Sequence, residues 1–123
     1  MKNALAVGFG GFIGCIARYL ISVLIAQFFG APAFPYATLI VNIVGCFLIG
    51  LLGALAENTN MFSPEMQLFL IVGILGGFTT YSAFGYQTLM LARDNQIISA
   101  FLNVSAHIIL GLGAVWLGAS IAK

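Results

Sequence analysis

Residues 76–84 have the sequence Gly-Gly-Phe-Thr-Thr-Tyr-Ser-Ala-Phe and lie in the middle of a long apolar run. Two adjacent glycines followed by four hydroxyl side chains within six positions predict an interruption of a membrane-spanning helix. Backbone groups freed by a break survive in a membrane only where protein or water surrounds them. In transport proteins, broken helices bring free carbonyls and amides to ion sites near the membrane midplane. This stretch is therefore the first candidate for a functional site.

The composition of the whole chain indicates an integral membrane protein. Of its 123 residues, 62% are hydrophobic and 6% are charged, and the mean hydropathy is +1.13. Four Lys and Arg and three Asp and Glu side chains cannot cover a water-soluble globule of this size. A net charge of +1 without a basic cluster also argues against a nucleic-acid partner.

Four apolar segments predict an all-α fold with four transmembrane helices, the third broken near its middle. Each segment reaches about 20 residues, which at about 1.5 Å per residue crosses a hydrocarbon core of about 30 Å. The loops are short, so consecutive helices are expected to be antiparallel neighbours. Ser63 before Pro64 predicts the start of the third helix. We expect one transmembrane domain over residues 1–123, with spans at about 4–28, 36–56, 66–92 and 97–121.

The small residues and cysteines of the spans have simple structural interpretations. Gly10 and Gly14, like Gly73 and Gly77, have the small-xxx-small spacing of helix contacts in lipid. Two cysteines, at positions 15 and 46, lie within apolar runs without metal-ligand spacing, which is typical of buried unpaired thiols. The first apolar segment is long, carries an arginine and lacks a clear cleavage site, so we interpret it as a retained span rather than a signal peptide.

The few cationic residues give the chain almost no orientation bias. Four spans place both termini on one side of the membrane, so Lys2 and Lys123 lie on that side and Arg93 lies on the other. Arg18 lies inside the first span. A chain without bias can insert both ways. Two oppositely inserted copies can form an antiparallel homodimer whose twofold axis lies in the membrane plane.

Polar and small residues follow one face of the second span and one face of the fourth. Groups four positions apart lie one above the other on a helix, so these residues can line a path along it. The alternative is that Asn42 and His107 only hydrogen-bond across helices. Together with residues 76–84, the pattern favours a lined path. The residues are Thr38, Asn42, Gly45 or Cys46, Gly50 and Gly53 in the second span, and Asn103, His107, Gly111 and Gly118 in the fourth.

Arg18 lies well inside the first span and has no acidic partner in any predicted span. A guanidinium there costs at least about 3 kcal/mol on insertion scales, so we expect it to face a water-filled cavity or an anion. The alternative is that it extends to the nearer membrane surface. The three carboxylates, Glu57, Glu65 and Asp94, all lie in predicted loops. The membrane interior of the protein therefore favours anions over cations.

This charge distribution separates the functional classes. A small dual-topology multidrug exporter couples cation export to protons through a glutamate in the membrane, and no predicted span contains one. Proton-coupled cation export is thus the alternative to anion conduction. The single histidine has no carboxylate or thiol partner at catalytic spacing, so we do not expect an enzyme. A non-transporting assembly subunit leaves Arg18 and residues 76–84 without a role.

Four segments in order resemble the Fluc/CrcB family of fluoride channels over nearly the whole chain: residues 11–19, 38–45, 76–84 and 111–118. The resemblance implies a multi-pass protein of the bacterial inner membrane that exports fluoride passively, without ATP or protons, and so relieves fluoride toxicity. It also implies an antiparallel homodimer in the lipid bilayer. Two fluoride pores and a structural sodium ion (Na+) at the dimer interface complete the expected assembly.

The resemblance further implies roles for individual residues. Backbone carbonyls of Gly76 and Thr79 from each copy are expected to bind the sodium ion. Arg18 is expected to attract anions into an aqueous vestibule. Aromatic ring edges carry partial positive charge and amides or hydroxyls donate hydrogen bonds, which suits fluoride. The expected pore residues are Asn42, Tyr81, Phe84, Thr38, Ser82, His107 and Asn103.

The sequence departs from the family pattern at a few of these positions. The first pore aromatic is Tyr81, where the family more often has Phe, and Ala83 replaces a common Thr. Asn103 and His107 occupy positions where Tyr and Ser are frequent. The ring edge of Tyr81 is expected to keep its role, whereas the imidazole of His107 could instead bond a backbone carbonyl.

Overall fold

Four long helices form the protein, which a computed structural model describes over residues 1–30, 33–59 and 61–122. The first helix is Lys2–Phe29, the second is Tyr36–Asn58, the third span covers Pro64–Arg93 and the last helix is Ile97–Ile121. Each is long and apolar enough to cross a membrane. The prediction of an all-α protein with four spans is therefore confirmed.

The first three helices extend past the predicted spans because hydropathy marks only their apolar parts. Polar residues continue the second helix to Asn58, and the third span begins at Pro64. The expectation that all three carboxylates lie in loops is thus wrong for two of them. Glu57 lies in the last turn of the second helix and Glu65 in the first turn of the third span, both at helix ends.

The third span consists of two halves. The N-terminal half covers residues 64–78 and contains a wide-turned π-helical stretch, Leu68–Leu75, which the sequence analysis did not predict. Ser63 caps its start by accepting a 3.2 Å hydrogen bond from the Met66 N–H, as predicted. The C-terminal half is the helix Tyr81–Arg93.

Thr79 and Thr80, which we call the threonine link, connect the two halves. Their backbones are extended, with φ −81° and ψ 161° at Thr79 and φ −152° and ψ 112° at Thr80. The Thr80 hydroxyl accepts a 3.3 Å hydrogen bond from the Ala83 N–H and so caps the C-terminal half. The link therefore has helical neighbours on both sides and non-helical backbone of its own.

The first helix packs on the N-terminal half of the third span through glycines. A Cβ added at Gly73 would lie 2.9 Å from the Cα of Gly10, and one added at Gly14 would overlap the carbonyl oxygen of Ile74. A Cβ at Gly77 would meet the backbone of Gly11. The small-residue spacing thus correctly predicted a close helix contact, because only glycine lets the backbones approach this far.

The second and last helices form the other closely packed pair. Gly50 lies against the backbone of Val115, and Gly118 lies against the backbone of Phe47 and Leu51. The C-terminal half of the third span packs on the last helix as well. The threonine link therefore lies between the two glycine-packed pairs, and a cavity opens beside it.

The outward surface is apolar, as a lipid-facing surface must be. Large side chains there include Phe12, Phe101 and Trp116, which are 65%, 70% and 70% exposed. Cys15 is also exposed, so its interpretation as a buried thiol is wrong: the first helix is covered along one face only. Cys46 is partly buried and lines the cavity.

Candidate functional site

Asn42 of the second helix holds the threonine link through both ends of its side-chain amide. Its Oδ1 accepts a 2.8 Å hydrogen bond from the Thr80 N–H, and its Nδ2 donates a 3.1 Å hydrogen bond to the Thr80 carbonyl. One amide thereby satisfies both backbone groups of an extended residue in an apolar environment. Asn42 therefore forms hydrogen bonds across helices, which was one of the two interpretations of this residue in the sequence analysis. Its partner is the threonine link.

This arrangement changes the bonding of the backbone just before the link. In a continuous helix the Thr80 N–H would donate to the carbonyl of Gly76. Here that N–H is bonded to Asn42 instead. Thr79 still closes the preceding turn, since its N–H and its hydroxyl each donate a 3.0 Å hydrogen bond to the Leu75 carbonyl. The Gly76 carbonyl is thereby released from its helical partner.

A cavity of about 380 Å³ lies beside the link. The second helix, both halves of the third span and the last helix contribute to its wall. None of its described lining residues is Asp, Glu, Lys or Arg. Six residues proposed from the sequence line it together: Asn42, Gly76, Thr79, Tyr81, Phe84 and His107.

Three aromatic rings form a row along this cavity. The ring centroid of Phe84 lies 5.5 Å from that of Tyr81, with the planes inclined by 51°, and 4.3 Å from that of His107, with the planes inclined by 41°. Phe84 is partly buried between the other two, whereas Tyr81 is 84% exposed. The edges of aromatic rings carry partial positive charge and their faces partial negative charge.

A hydrogen-bonded chain behind Phe84 fixes the last helix to the C-terminal half of the third span. Thr88 donates to the Phe84 carbonyl at 2.8 Å, and Asn103 Nδ2 donates to the Thr88 hydroxyl at 2.8 Å. His107 Nδ1 lies 2.9 Å from the carbonyl oxygen of Asn103. Asn103 is completely buried and is absent from the described cavity wall, so in the single chain it supports the wall from behind.

Three other predicted site residues also lie away from the described cavity wall. Thr38 is buried in the second helix, and Ser82 is exposed with its Oγ 3.4 Å from the Thr80 hydroxyl. Arg18 is partly buried, and its Nη2 donates to Cys15 Sγ at 3.6 Å on the same helix. A single chain therefore does not bring these residues to the row of aromatic rings.

Thr80 and Thr88 belong to the site although the sequence analysis gave them no role. Thr80 lies within residues 76–84, with which the sequence analysis began. Thr88 follows Phe84 by one helical turn, and a polar side chain at that place in an apolar helix was the available signal. Three buried side-chain atoms have no hydrogen-bond partner among the described residues. They are Gln87 Oε1, Asn103 Oδ1 and His107 Nε2.

The described wall of the site contains polar groups of the kinds that small ions use as partners. Within residues 1–30, 33–59 and 61–122, no cluster of three or more His, Cys, Asp and Glu side chains is placed to hold a metal ion. What the site does offer is a released carbonyl at Gly76, an amide at Asn42 and ring edges at Tyr81 and Phe84. Carbonyls suit a hard cation, whereas amides and ring edges suit an anion.

Comparison with known proteins gives one consistent result. Residues 5–119 match the family described as CrcB-like protein, Camphor Resistance (CrcB). Three bacterial proteins named fluoride-specific ion channel FluC are each 44% identical to the chain over its entire length. They come from Flavobacterium psychrophilum, Geobacter sulfurreducens and Chlorobaculum tepidum, and the alignment covers 98%, 98% and 96% of their lengths.

Proposed function

The chain belongs to the CrcB-like family, and on this basis we propose that it is a fluoride-selective channel through which fluoride leaves the cell passively. The resemblance to the Fluc/CrcB family is thereby confirmed. The expectation that the chain is not an enzyme is also confirmed, since the matched relatives are ion channels by name. It is a multi-pass integral membrane protein. We place it in the bacterial inner membrane, where passive export relieves fluoride toxicity, and treat residues 1–123 as one transmembrane domain.

The meeting of Asn42, Tyr81 and Phe84 at the threonine link is the observation that carries the proposal. Fluoride holds its water strongly, so a narrow pore must offer replacement partners. The second N–H of the Asn42 amide and the ring edges of the two aromatics are small, hard partners of this kind. No described wall residue is a carboxylate, so no negatively charged side chain opposes an anion there. A larger and softer chloride ion gains less from the same partners, which is the basis of selectivity.

The remaining pore residues extend this path on either side of the aromatic rings. We propose that Thr38 and Ser82 supply hydroxyl donors, that His107 and Asn103 line the path along the last helix, and that Arg18 attracts anions into a vestibule. Several of these residues lie away from the cavity of a single chain. Their roles therefore depend on a second copy that completes the pore.

A second copy of the chain is the occupant that best suits the exposed side of the link. Gly76, Tyr81 and Ser82 are exposed in the single chain, although they lie within an apolar span. Lipid cannot hydrogen-bond the Gly76 carbonyl or the hydroxyls of Tyr81 and Ser82, so protein or water has to surround them, and a second copy of the chain supplies such a surface. We propose an antiparallel homodimer with two pores. The weak orientation bias of Lys2, Arg93 and Lys123 permits the opposite insertion that it requires.

A topology experiment tests the antiparallel dimer. A cysteine-free variant carrying one added cysteine after the C-terminus is expected to react with a membrane-impermeant maleimide in intact cells to about half the extent seen in permeabilised cells. Equal insertion in both directions leaves the C-terminus of one of the two copies in each dimer outside the cell. Labelling close to zero or close to complete in intact cells contradicts dual topology.

The backbone at the link fits the proposed structural sodium ion. The Gly76 carbonyl is released from its helical partner by the bond between Thr80 and Asn42, and Gly76 and Thr79 both line the cavity. Carbonyl oxygens are the ligands that hard cations prefer. We propose that Gly76 and Thr79 of both copies hold the ion at the dimer interface. When bound, sodium supplies positive charge that fixes the two links against each other.

Efflux from liposomes tests the proposed function against the proton-coupled exporter. Purified protein in fluoride-loaded liposomes is expected to release fluoride only after a potassium ionophore removes the opposing membrane potential. Passive transport of a single anion builds up that potential. Release must persist when a protonophore abolishes any pH difference. No release with the ionophore present, or release that stops when the pH difference is abolished, contradicts a passive fluoride channel.

A further inference from the structure

The side chain of Thr79 is held at both of its branches. Its hydroxyl donates a 3.0 Å hydrogen bond to the Leu75 carbonyl, one turn earlier on the third span. Its methyl group, Cγ2, lies against Gly45 of the second helix, where a Cβ added to the glycine would overlap it. Rotation of the side chain would break the hydrogen bond and move the methyl group out of the space at Gly45. The side chain of Thr79 therefore has one fixed position.

Gly45 makes the room for this methyl group. It is buried in the second helix and lies three positions after Asn42, so the two residues share a face of that helix. A Cβ added at Gly45 would also come within 3.4 Å of the Phe78 ring. The second helix thus contacts the threonine link at two points. Asn42 binds the backbone of Thr80, and Gly45 receives the methyl group of Thr79.

The backbone carbonyl of Thr79 is released from its helical partner. In a continuous helix the Ala83 N–H would donate to it. Here that N–H donates at 3.3 Å to the Thr80 hydroxyl, which caps the C-terminal half of the third span. The Thr79 N–H still donates to the Leu75 carbonyl at 3.0 Å. Because the N–H and the side chain of Thr79 are both fixed, the Cα from which its carbonyl extends is fixed as well.

We propose that Gly45 is a positioning residue for the proposed sodium site: by receiving the Thr79 methyl group it fixes the direction of the Thr79 carbonyl. The inference rests on that proposed site and adds a residue of the second helix to it. Gly45 acts through Thr79 and not by contact with the ion. A side chain at position 45 pushes Thr79 away from the second helix, and a displaced carbonyl fits a hard cation less well.

Heating the purified dimer in sodium chloride and in N-methylglucamine chloride tests the proposal without a transport assay. Sodium bound to the folded dimer raises its melting temperature, and the dependence on sodium concentration gives an apparent affinity. Size-exclusion chromatography after heating measures the dimer that remains. Gly45→Ala is expected to bind sodium on the order of tenfold more weakly than the wild type, as is usual when a group that orients a metal ligand is changed. A loss of packing alone lowers the melting temperature equally in both salts, and that result overturns the inference.

A second substitution, at Thr79, is expected to restore the fit. Thr79→Ser removes the methyl group and keeps the hydroxyl, and a Cβ at position 45 would lie 3.7 Å from the Thr79 Cβ, an ordinary contact. The double variant Gly45→Ala/Thr79→Ser should therefore bind sodium within about threefold of the wild type, because the two changes are in direct contact and do not add. A double variant that binds as weakly as Gly45→Ala contradicts the assignment to Gly45.

Gly8→Ala controls for the general effect of replacing a glycine in a membrane helix. Gly8 is exposed on the first helix, and a Cβ added there meets nothing within 4 Å. Its apparent sodium affinity should equal that of the wild type. An equal loss of affinity in Gly8→Ala and Gly45→Ala overturns the inference.

Thr79→Ser alone decides the question if Gly45→Ala does not form a dimer. This variant leaves Gly45 unchanged and empties the space beside it, so it is expected to bind sodium more weakly than the wild type. Full wild-type affinity in Thr79→Ser then overturns the inference. A wild-type dimer whose melting temperature does not respond to sodium contradicts the sodium site itself. Fluoride efflux from liposomes tests the channel function separately.

Discussion

Asn42→Ala is expected to abolish fluoride conduction. The substitution removes both hydrogen bonds that hold Thr80, at 2.8 and 3.1 Å, and leaves the backbone N–H and carbonyl of Thr80 without partners in an apolar environment. Each unsatisfied group costs about 1–3 kcal/mol, and a loss of about 3 kcal/mol in a conducting geometry lowers the rate about a hundredfold. Freed of Asn42, the Thr80 N–H can also return to the Gly76 carbonyl and close the helix.

Efflux from liposomes measures this loss, with size-exclusion chromatography to confirm that the variant is still a dimer. Asn58→Ala is the matched control. Asn58 is an exposed asparagine at the end of the second helix, and its one side-chain bond, 3.4 Å to the Ala122 carbonyl, lies far from the link. The control should conduct like the wild type. Conduction by Asn42→Ala within about twofold of the wild type contradicts the role of the link.

Phe84→Leu is expected to reduce fluoride conduction by at least about tenfold. The leucine keeps an apolar side chain in the gap between Tyr81 and His107 but has no ring edge to attract an anion. The expected loss reflects one missing anion partner, and a tenfold change in rate corresponds to about 1.4 kcal/mol. Tyr81→Phe keeps both ring edges and is expected to conduct at a rate close to the wild type.

Phe101→Leu controls for the general effect of replacing an aromatic side chain on the last helix. Phe101 is 70% exposed and faces outward, so its replacement should leave the efflux rate unchanged. If Phe84→Leu and Phe101→Leu conduct equally well, the row of rings does not lie in the fluoride path. If both fail to form dimers, the efflux comparison is replaced by Phe84→Tyr, which retains the ring edge and should conduct.

The four spans were predictable because lipid imposes a simple condition on sequence. A segment of about 20 apolar residues that meets no strong breaker must form a helix in the membrane, since its backbone groups have no other partners. Gly10, Gly14, Gly73 and Gly77 marked a helix contact for a similar reason: close approach of two backbones excludes any larger residue. Both predictions depend on local sequence alone.

The bonds of the site were harder to predict because they join residues far apart in the chain. Asn42 and Thr80 are separated by 38 positions, and nothing local indicates that the amide will bond the backbone of the link rather than an ion. The π-helical stretch Leu68–Leu75 was missed because a run of apolar residues fits either kind of helical turn. The sequence analysis assigned Asn103 to a polar face, but only the packed helices show that it is fully buried and bonded to Thr88.

The relation between Asn42 and the link joins the two roles proposed for residues 76–84. Because Asn42 accepts the hydrogen bond of the Thr80 N–H, the Gly76 carbonyl has no helical partner. Because Thr80 caps the next helix, Tyr81 and Phe84 lie in its first turn and line the cavity. We propose that one amide thereby prepares both the sodium site and the fluoride path. This account explains why a single substitution at position 42 should have the largest effect.

The reversal potential of the current through purified protein in a planar bilayer tests the central claim most directly. The fluoride concentration differs tenfold between the two sides, and sodium chloride replaces the missing sodium fluoride so that the sodium concentration is equal. The equilibrium potential of fluoride then differs from those of sodium and chloride. The account predicts a current that reverses close to the fluoride equilibrium potential, about 60 mV in magnitude, and that does not move with a pH difference. A reversal at the chloride or proton equilibrium potential, or no current at all, would contradict it.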